Sequence, residues 1–367
     1  MAYTTIDDPS EYFQTQLYTG DGNTTQAITN SGNSNLKPDW VWLKQRANDS
    51  ANRNHMLFDS TRGSTKALSS NTNGAEDTSS GGYIQSFNTD GFTTGNSSVI
   101  NKNAVTYVGW QWKANGGTTT TNDASSTSIG TIDSVIQANT TAGFSIVTYT
   151  GTGSNGSVAH GLGAKPNVIL LKDRGGFSWV VYHDKVASDP ATDYLEFNGT
   201  IAATDYAPHF NDTEPTSTVF SLGTDGAVNG SGRNVLAYCF TEIKGYSKFN
   251  SYTGNGNNDG PFVYTGFKPA WLMTKRTDGT NNWVMHDNTR DPLNETLSNN
   301  NGSNARKNLF ANLSSEEDSS RGVNFYSNGF KIEAATSDLN ASGGTYIYLA
   351  FAEHPFVSSK GVPTTAR

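Results

Sequence analysis

Residues 165–172 read KPNVILLK. The frame recurs as KPDWVWLK at 37–44 and KPAWLMTK at 268–275, with the two lysines seven positions apart each time. Spacing kept this closely in three places marks an internal repeat, which has to be resolved before any single residue is weighed. Each copy extends both ways. Upstream lie LYTGDG (17–22), TYTGTG (148–153) and SYTGNG (251–256). Downstream, apolar patches close on aspartate: HMLFD (55–59), WVVYHD (179–184) and WVMHD (283–287), which aligns Asp59, Asp184 and Asp287 and pairs Trp179 with Trp283. The first and third copies also share DSTR (59–62) and DNTR (287–290). SFNTDGF (86–92), FSLGTDG (220–226) and FYSNGF (325–330) follow, and the copies end on TYVGWQW, NVLAYCF and YIYLAF.

The copies read as strands. GFSIVTYTG alternates apolar and polar residues at period two, as a half-buried strand does, and NVILL and WVVY are short, β-branched runs suited to inner strands. Lys-Pro (Lys37-Pro38, Lys165-Pro166, Lys268-Pro269) forces an extended residue before the proline and ends the preceding loop. The second lysine (Lys44, Lys172, Lys275) is then expected where the strand regains solvent. Helical periodicity is hard to find. The fold predicted is all-β: tandem antiparallel β-sandwich, jelly-roll-like domains. The boundaries read as an N-terminal arm (1–16), repeat 1 (17–112), a Gly/Thr/Ser-rich linker and connecting strand (113–142), repeat 2 (143–249), repeat 3 (250–356) and a C-terminal tail (357–367). KANGGTTTTNDASSTS at 113–128 reads as a flexible linker. Repeat 1 should therefore swing while repeats 2 and 3, joined without a spacer, stay fixed as part of a rod.

Composition bounds the partners. Charged residues are 16% and aromatics 11% of 367, with 38 glycines, which suits a β protein with many tight turns and argues against disorder. A net charge of −8 without a basic stripe argues against nucleic acid. No apolar run is long enough to span a bilayer, and the N-terminal MAYTTIDDPSEY carries no secretory pattern, so assembly in a cytoplasm without membrane insertion is expected. Cys239, the sole cysteine, lies in an apolar strand and reads as a small buried hydrophobe.

Candidate chemistry is sparse. His183-Asp184 and His286-Asp287 suggest acid/base pairs, but neighbours on a strand point to opposite faces, and the first copy has Phe58 before Asp59. An architectural role fits better. Zinc spacings and a nucleophile elbow are absent from the sequence. Glu196, Glu242, Glu295 and Glu353 offer no equivalent pair between copies for glycoside hydrolysis. Trp42, Trp110 and Trp112 occur in the first copy only, and Trp110 and Trp112 share a strand face, so they form either core or a sugar-stacking platform. The Asn/Asp-rich loops at 19–23, 255–260 and 294–304 could hold Ca²⁺ through oxygens, although ordinary turns explain them.

The N-terminal YTTI…YFQTQLYTGDG, IQANTTAGFSIVTYTGTGSNGSVAHGLGAKPNVILLK, AYCFTEIKGYSKFNSYTGNG and the terminal YIYLAFAEHPFVSSKGVPTTAR resemble a family of uncharacterised tailed-phage structural proteins, common in marine and cyanobacterial phages and often described as tail fibres. The resemblance covers nearly the whole chain and implies a virion component without catalytic residues. The function expected is host-surface glycan recognition by a tail-fibre or appendage protein, with other virion proteins as partners and a homotrimer as the default for a fibre. Capsid decoration or a head fibre is the first alternative and a glycan depolymerase the second.

Overall fold

The computed structural model describes residues 3–47, 49, 51–292 and 306–364. The run after each Lys-Pro is a strand: Trp40–Ala47, Val168–Asp173 and Phe267–Arg276. Both faces are buried, and alternate residues enter different cores. Trp40 and Trp42, Val168 and Leu170, Trp271 and Met273 all enter one core. Val41 and Leu43, Ile169 and Leu171, and Leu272 enter three separate ones. Period two therefore survives inside a continuous apolar run because each face meets its own apolar partner.

Each of these strands lies in an antiparallel sheet between the closing strand of its repeat and the strand that follows it in sequence. In repeat 1 the order is Phe13–Thr19, Thr106–Trp112, Trp40–Ala47, Met56–Asp59. Repeats 2 and 3 keep that order and add the strands Asp193–Glu196 and Leu309–Phe310 beyond the fourth. A smaller sheet covers one face in every repeat. Its strands are Gln26–Ile28, Ile84–Phe87 and Phe92–Thr94 in repeat 1, Gly156–Ala159 and Val219–Leu222 in repeat 2, and Phe262–Tyr264, Val323–Tyr326 and Gly329–Ile332 in repeat 3. The result is three β-sandwiches, as the patterning predicts. YTGxG serves each one identically. The tyrosine hydroxyls of Tyr18, Tyr149 and Tyr252 donate to Ile100, Val228 and Leu339 carbonyls. A Cβ on Gly20 would stand 2.3 Å from the Lys102 carbonyl oxygen, and those on Gly151 and Gly254 would meet Gly230 and Ala341 equally closely, so only glycine fits.

The other face of each large sheet belongs to a single shared core. Trp112, Phe240 and Phe351, equivalent residues on the three closing strands, converge there, with ring centroids 5.6 Å apart for Trp112–Phe351 and 5.9 Å for Phe240–Phe351. Phe13 of the N-terminal arm stacks on Phe351 at 5.4 Å. The rod of independent sandwiches is therefore replaced by a three-sided arrangement around a pseudo-threefold axis, because each large sheet has a second apolar face that must leave water.

The segment read as a flexible linker is built into this body. Asp39 Oδ2 accepts from the Ala114 and Gly116 amides at 2.8 Å each, and Gln137 Oε1 accepts from Gly117 at 2.7 Å. Thr120–Asn122 pairs with Ser134–Asn139, which continues the repeat 2 sheet, and Asp123 caps a one-turn helix at Ala124–Thr127. Gly/Thr/Ser composition misled here: side chains elsewhere in the chain hold the backbone. With its large sheet in the common core, repeat 1 has no freedom to swing.

Five of the six histidines are buried and held neutral. Burial pulls His160, His183 and His209 down to about 4 and His286 to about 3, and His55 lies well below its ordinary value. The folded state thus binds fewer protons than the unfolded one below pH 6.5, so stability is complete above that value and lost as pH falls toward 4. Denaturant midpoints at half-unit steps should be level between pH 7 and 6.5 and drop steeply between 6 and 4.

Candidate functional site

The thrice-written polar residues lie between the repeats. The second lysine of each frame, expected at solvent, is buried: Lys44, Lys172 and Lys275 are 1%, 0% and 0% exposed. Burial pulls each ammonium down to about 8. Carbonyl oxygens replace the lost water. Lys44 Nζ donates to Arg53 O (2.8 Å) in its own repeat and to Ser314 O (3.0 Å) of repeat 3. Lys172 reaches Phe177 O and, across to repeat 1, Asn73 O at 3.1 Å. Lys275 reaches Arg276 O (2.6 Å), Gly279 O (3.3 Å) and Thr200 O (3.3 Å) of repeat 2. Each repeat so grips one neighbour, in a cycle that closes after three steps. By contrast the first lysines are at the surface: Lys37 donates to Gly116 O at 3.0 Å, Lys165 pairs with Glu214, and Lys268 pairs with Glu353 at 2.8 Å, while Pro38, Pro166 and Pro269 are buried.

A second cycle runs parallel. Trp179 Nε1 donates to Ser69 O at 2.8 Å and Trp283 Nε1 to Glu196 O at 2.9 Å. In repeat 1 the same place holds His55, whose Nδ1 accepts from Trp42 Nε1 at 2.9 Å, so Nε2 carries the proton toward Phe310 O at 3.0 Å. The backbone amides of these three residues donate to Asn71, Asn198 and Asn312. Those asparagines end LSSN, LEFN and LFAN, a further motif repeated in all three copies. A third cycle is pure backbone: Glu76 N to Arg174 O, Glu317 N to Arg46 O and Ala203 N to Thr277 O, at 2.7–2.9 Å.

Strand register corrects the aspartate alignment. Trp40, Val168 and Trp271 pair with Asp59, His183 and Asp287, so the counterpart of the two aspartates is His183, and Asp184 lies one place outside. Asp59 and Asp287 are buried and form ion pairs with Arg62 (2.6 Å) and Arg290 (2.5 Å). Each also accepts a donor from the neighbouring repeat: Tyr238 Oη on Asp59 at 2.8 Å, Trp110 Nε1 on Asp287 at 3.0 Å. Glu76 joins Arg62 to Arg174, and Glu317 joins Arg290 to Arg46. At the third interface the corresponding residues are His183, Val186, Ala203, Thr277 and Leu349. Donor, carboxylates and guanidiniums are all absent there together. His183 Nδ1 accepts from the Lys185 amide at 3.1 Å and stands 3.6 Å from the carboxylate of Asp184, which also accepts from Asn167.

Trp42, Trp110 and Trp112 form no platform, since all three are buried in the shared core. Of the proposed Ca²⁺ loops, Asp21 accepts from the Asn23 amide and Asn101, Asp259 pairs with Lys331, and residues 294–304 lie outside the described residues. No group of three or more His, Cys, Asp or Glu among the described residues is placed to hold a metal. Among them, too, no helix is long and apolar enough to cross a membrane.

Among the described residues Ile129, Phe177, Tyr206, Leu313 and Val362 are exposed at separate places in the chain, whereas two exposed rings share one outward strand face in repeat 3. Ile28, Val158 and Val263 sit opposite Phe92, Phe220 and Phe330 in the small sheets. The residues flanking them are Ala27 and Thr29 in repeat 1, Ser157 and the buried Ala159 in repeat 2, but Phe262 and Tyr264 in repeat 3. Those two rings are 48% and 55% exposed. Phe262 lies beside Gly329 and meets Tyr326 edge-on at 6.1 Å. Tyr3 stands 3.2 Å from Tyr264 hydroxyl to hydroxyl and donates to Gly266 O at 2.7 Å. Rings fixed in this way lose little freedom when something docks on them.

The fold and its interfaces define an all-β pseudo-trimer within one chain, whose repeated polar residues hold walls together. The chain belongs to the family described as a domain of unknown function (DUF7483), which matches residues 8–355. No curated protein and no solved structure matches it.

The corrected register sets a direct test. Asp59→Ala takes one of its two carboxylates from the buried Arg62 and the acceptor from Tyr238, and should destabilise by about 3–5 kcal/mol. Asp184→Ala removes a part-buried hydrogen bond and should cost about 1 kcal/mol. Urea unfolding of both variants beside the parent checks the difference.

Proposed function

We propose that the chain is a structural component of a tailed-phage virion, an appendage protein of tail-fibre type that recognises host-surface glycan. The observation carrying the reading is the pair of exposed rings Phe262 and Tyr264, with half-buried Tyr326 against Phe262, on a strand face where repeats 1 and 2 have small residues. Fixed, half-exposed rings offer flat apolar faces to the C–H faces of sugars, and the Lys331–Asp259 pair beside them offers hydrogen-bonding groups. Of the glutamates considered for hydrolysis, Glu242 pairs with Lys248 and Glu353 with Lys268, burial raises the Glu196 carboxyl above its ordinary value, and Glu295 lies outside the described residues. The pairing of Glu242 and Glu353 supports binding over cleavage.

A second reading has its own support. A chain that carries a threefold arrangement within itself suits a seat on a threefold feature of a particle, as a capsid decoration or head-fibre protein would occupy. Antibody labelling of whole particles separates the two, since the appendage reading requires the label at the tail.

Glycan binding is checked by titrating the chain with host capsule or lipopolysaccharide. The parent should bind, the pair Phe262→Ala and Tyr264→Ala should lose about tenfold in affinity, and the polysaccharide should keep its length. Release of soluble fragments would instead make the protein a depolymerase.

A further inference from the structure

Repeat 1 holds a groove of about 360 Å³ on the outside of its sandwich. Its origin can be read from register. Ala67 pairs with Asp77, Tyr194 with Thr204, and Asn308 with Asp318, in each case just before the leucine of the Leu-x-x-Asn motif. In repeat 2 the Tyr194 ring fills this place, packed against His209 at 4.2 Å and Tyr206 at 6.1 Å. In repeat 3 Asn308 is buried, with its Oδ1 accepting from Ser320 N. Repeat 1 has Ala67, and the space stays open. Met56, Val99 and Ala67 line it with apolar surface, together with Tyr83, whose hydroxyl donates to Asp77 at 2.5 Å. Arg53, Asn54 and Asp77 supply the polar lining. Arg53 and Lys102 both pair with Asp49, at 3.3 and 2.7 Å, and Asp77 is the acid on the opposite side, so two cations balance two acids and the groove carries no surplus of either sign.

We propose that this groove is a binding site for one neutral pyranose ring, an end or branch of a polysaccharide. Its volume lies at the small end of ligand sites, which fits one sugar ring better than an extended chain. An apolar floor takes the C–H face of a ring, while a carboxylate, an amide and a guanidinium on the sides take its hydroxyls in the donor and acceptor pattern that such groups offer. Electroneutrality excludes the net attraction that a phosphate or a uronate would need. The inference stands apart from the aromatic cluster of repeat 3 and from the virion reading, since it rests on a different repeat and different residues.

The test is saturation-transfer NMR on the full chain with methyl glycosides of glucose, galactose, mannose and N-acetylglucosamine. At least one should bind in the millimolar range. Ala67→Tyr, which supplies the residue repeat 2 uses, should reduce that binding at least tenfold. Asp77→Asn, which keeps an acceptor for Tyr83, should also weaken it, and decides the matter if Ala67→Tyr melts early. Tyr264→Ala should leave it unchanged, which separates this site from the aromatic cluster. Absence of binding by all four glycosides, or equal binding by the parent and Asp77→Asn, overturns the proposal.

Discussion

Three apolar sheet faces closing on one axis set the terms for everything else in this molecule. An axis has room for one large group, and three equal copies cannot each supply one. The third residue of the Leu-x-x-Asn motif shows how the sequence accommodates this: Ser70, Phe197 and Ala311 are equivalent, and all are buried. Phe197 alone touches tryptophans of all three repeats, Trp42 at 5.5 Å, Trp179 at 5.9 Å and Trp283 at 5.2 Å, while Ser70 Oγ donates to the Ala311 carbonyl at 2.6 Å. Close packing at such a point tolerates neither a second ring nor a void. Divergence among the copies is thus a requirement of closure.

The same logic governs the polar interfaces. Buried ion pairs add little net stability against an apolar alternative, but a mismatched one is costly. Tyr238 meets Asp59 and Trp110 meets Asp287, while at the third interface, where Leu349 is the equivalent of those donors, His183 Nε2 lies 3.4 Å from the Tyr348 carbonyl, so each donor or its absence matches the residue at that position. Placing a repeat in the wrong slot would set a leucine against a buried carboxylate. Order around the ring is therefore written in the side chains as well as in the chain's connectivity. The lysine cycle is indifferent to that order, because each ammonium binds backbone carbonyls that any repeat would present.

Much of the fold was legible because its causes are local. The repeat, the strand character of KPxxxxxK and the YTGxG turns all follow from spacing, β-branched residues and glycine. Three things were not. Trp42, Trp110 and Trp112 read equally as core or platform, since period two tells which residues share a face and not what covers it. Lys44, Lys172 and Lys275 were assigned to solvent because a cation at a strand end ordinarily lies there, and their carbonyl partners come from another repeat, far away in sequence. The Asp59, Asp184 and Asp287 alignment followed letters, whereas pairing of Val168 with His183 puts a histidine at that position, four residues past Trp179 as Asp287 is four past Trp283. The exposed Phe262 and Tyr264 and the groove left by Ala67 emerge only when the three copies are compared position by position in register.

The central claim is that three sandwiches share one core and therefore one unfolding transition. Differential scanning calorimetry of the intact chain tests it most directly. A shared core predicts a single peak in which the van't Hoff and calorimetric enthalpies agree, with a total of about 250 kcal/mol for a chain of this length. Two or three separable peaks, with repeat 1 melting independently of the rest, would contradict it.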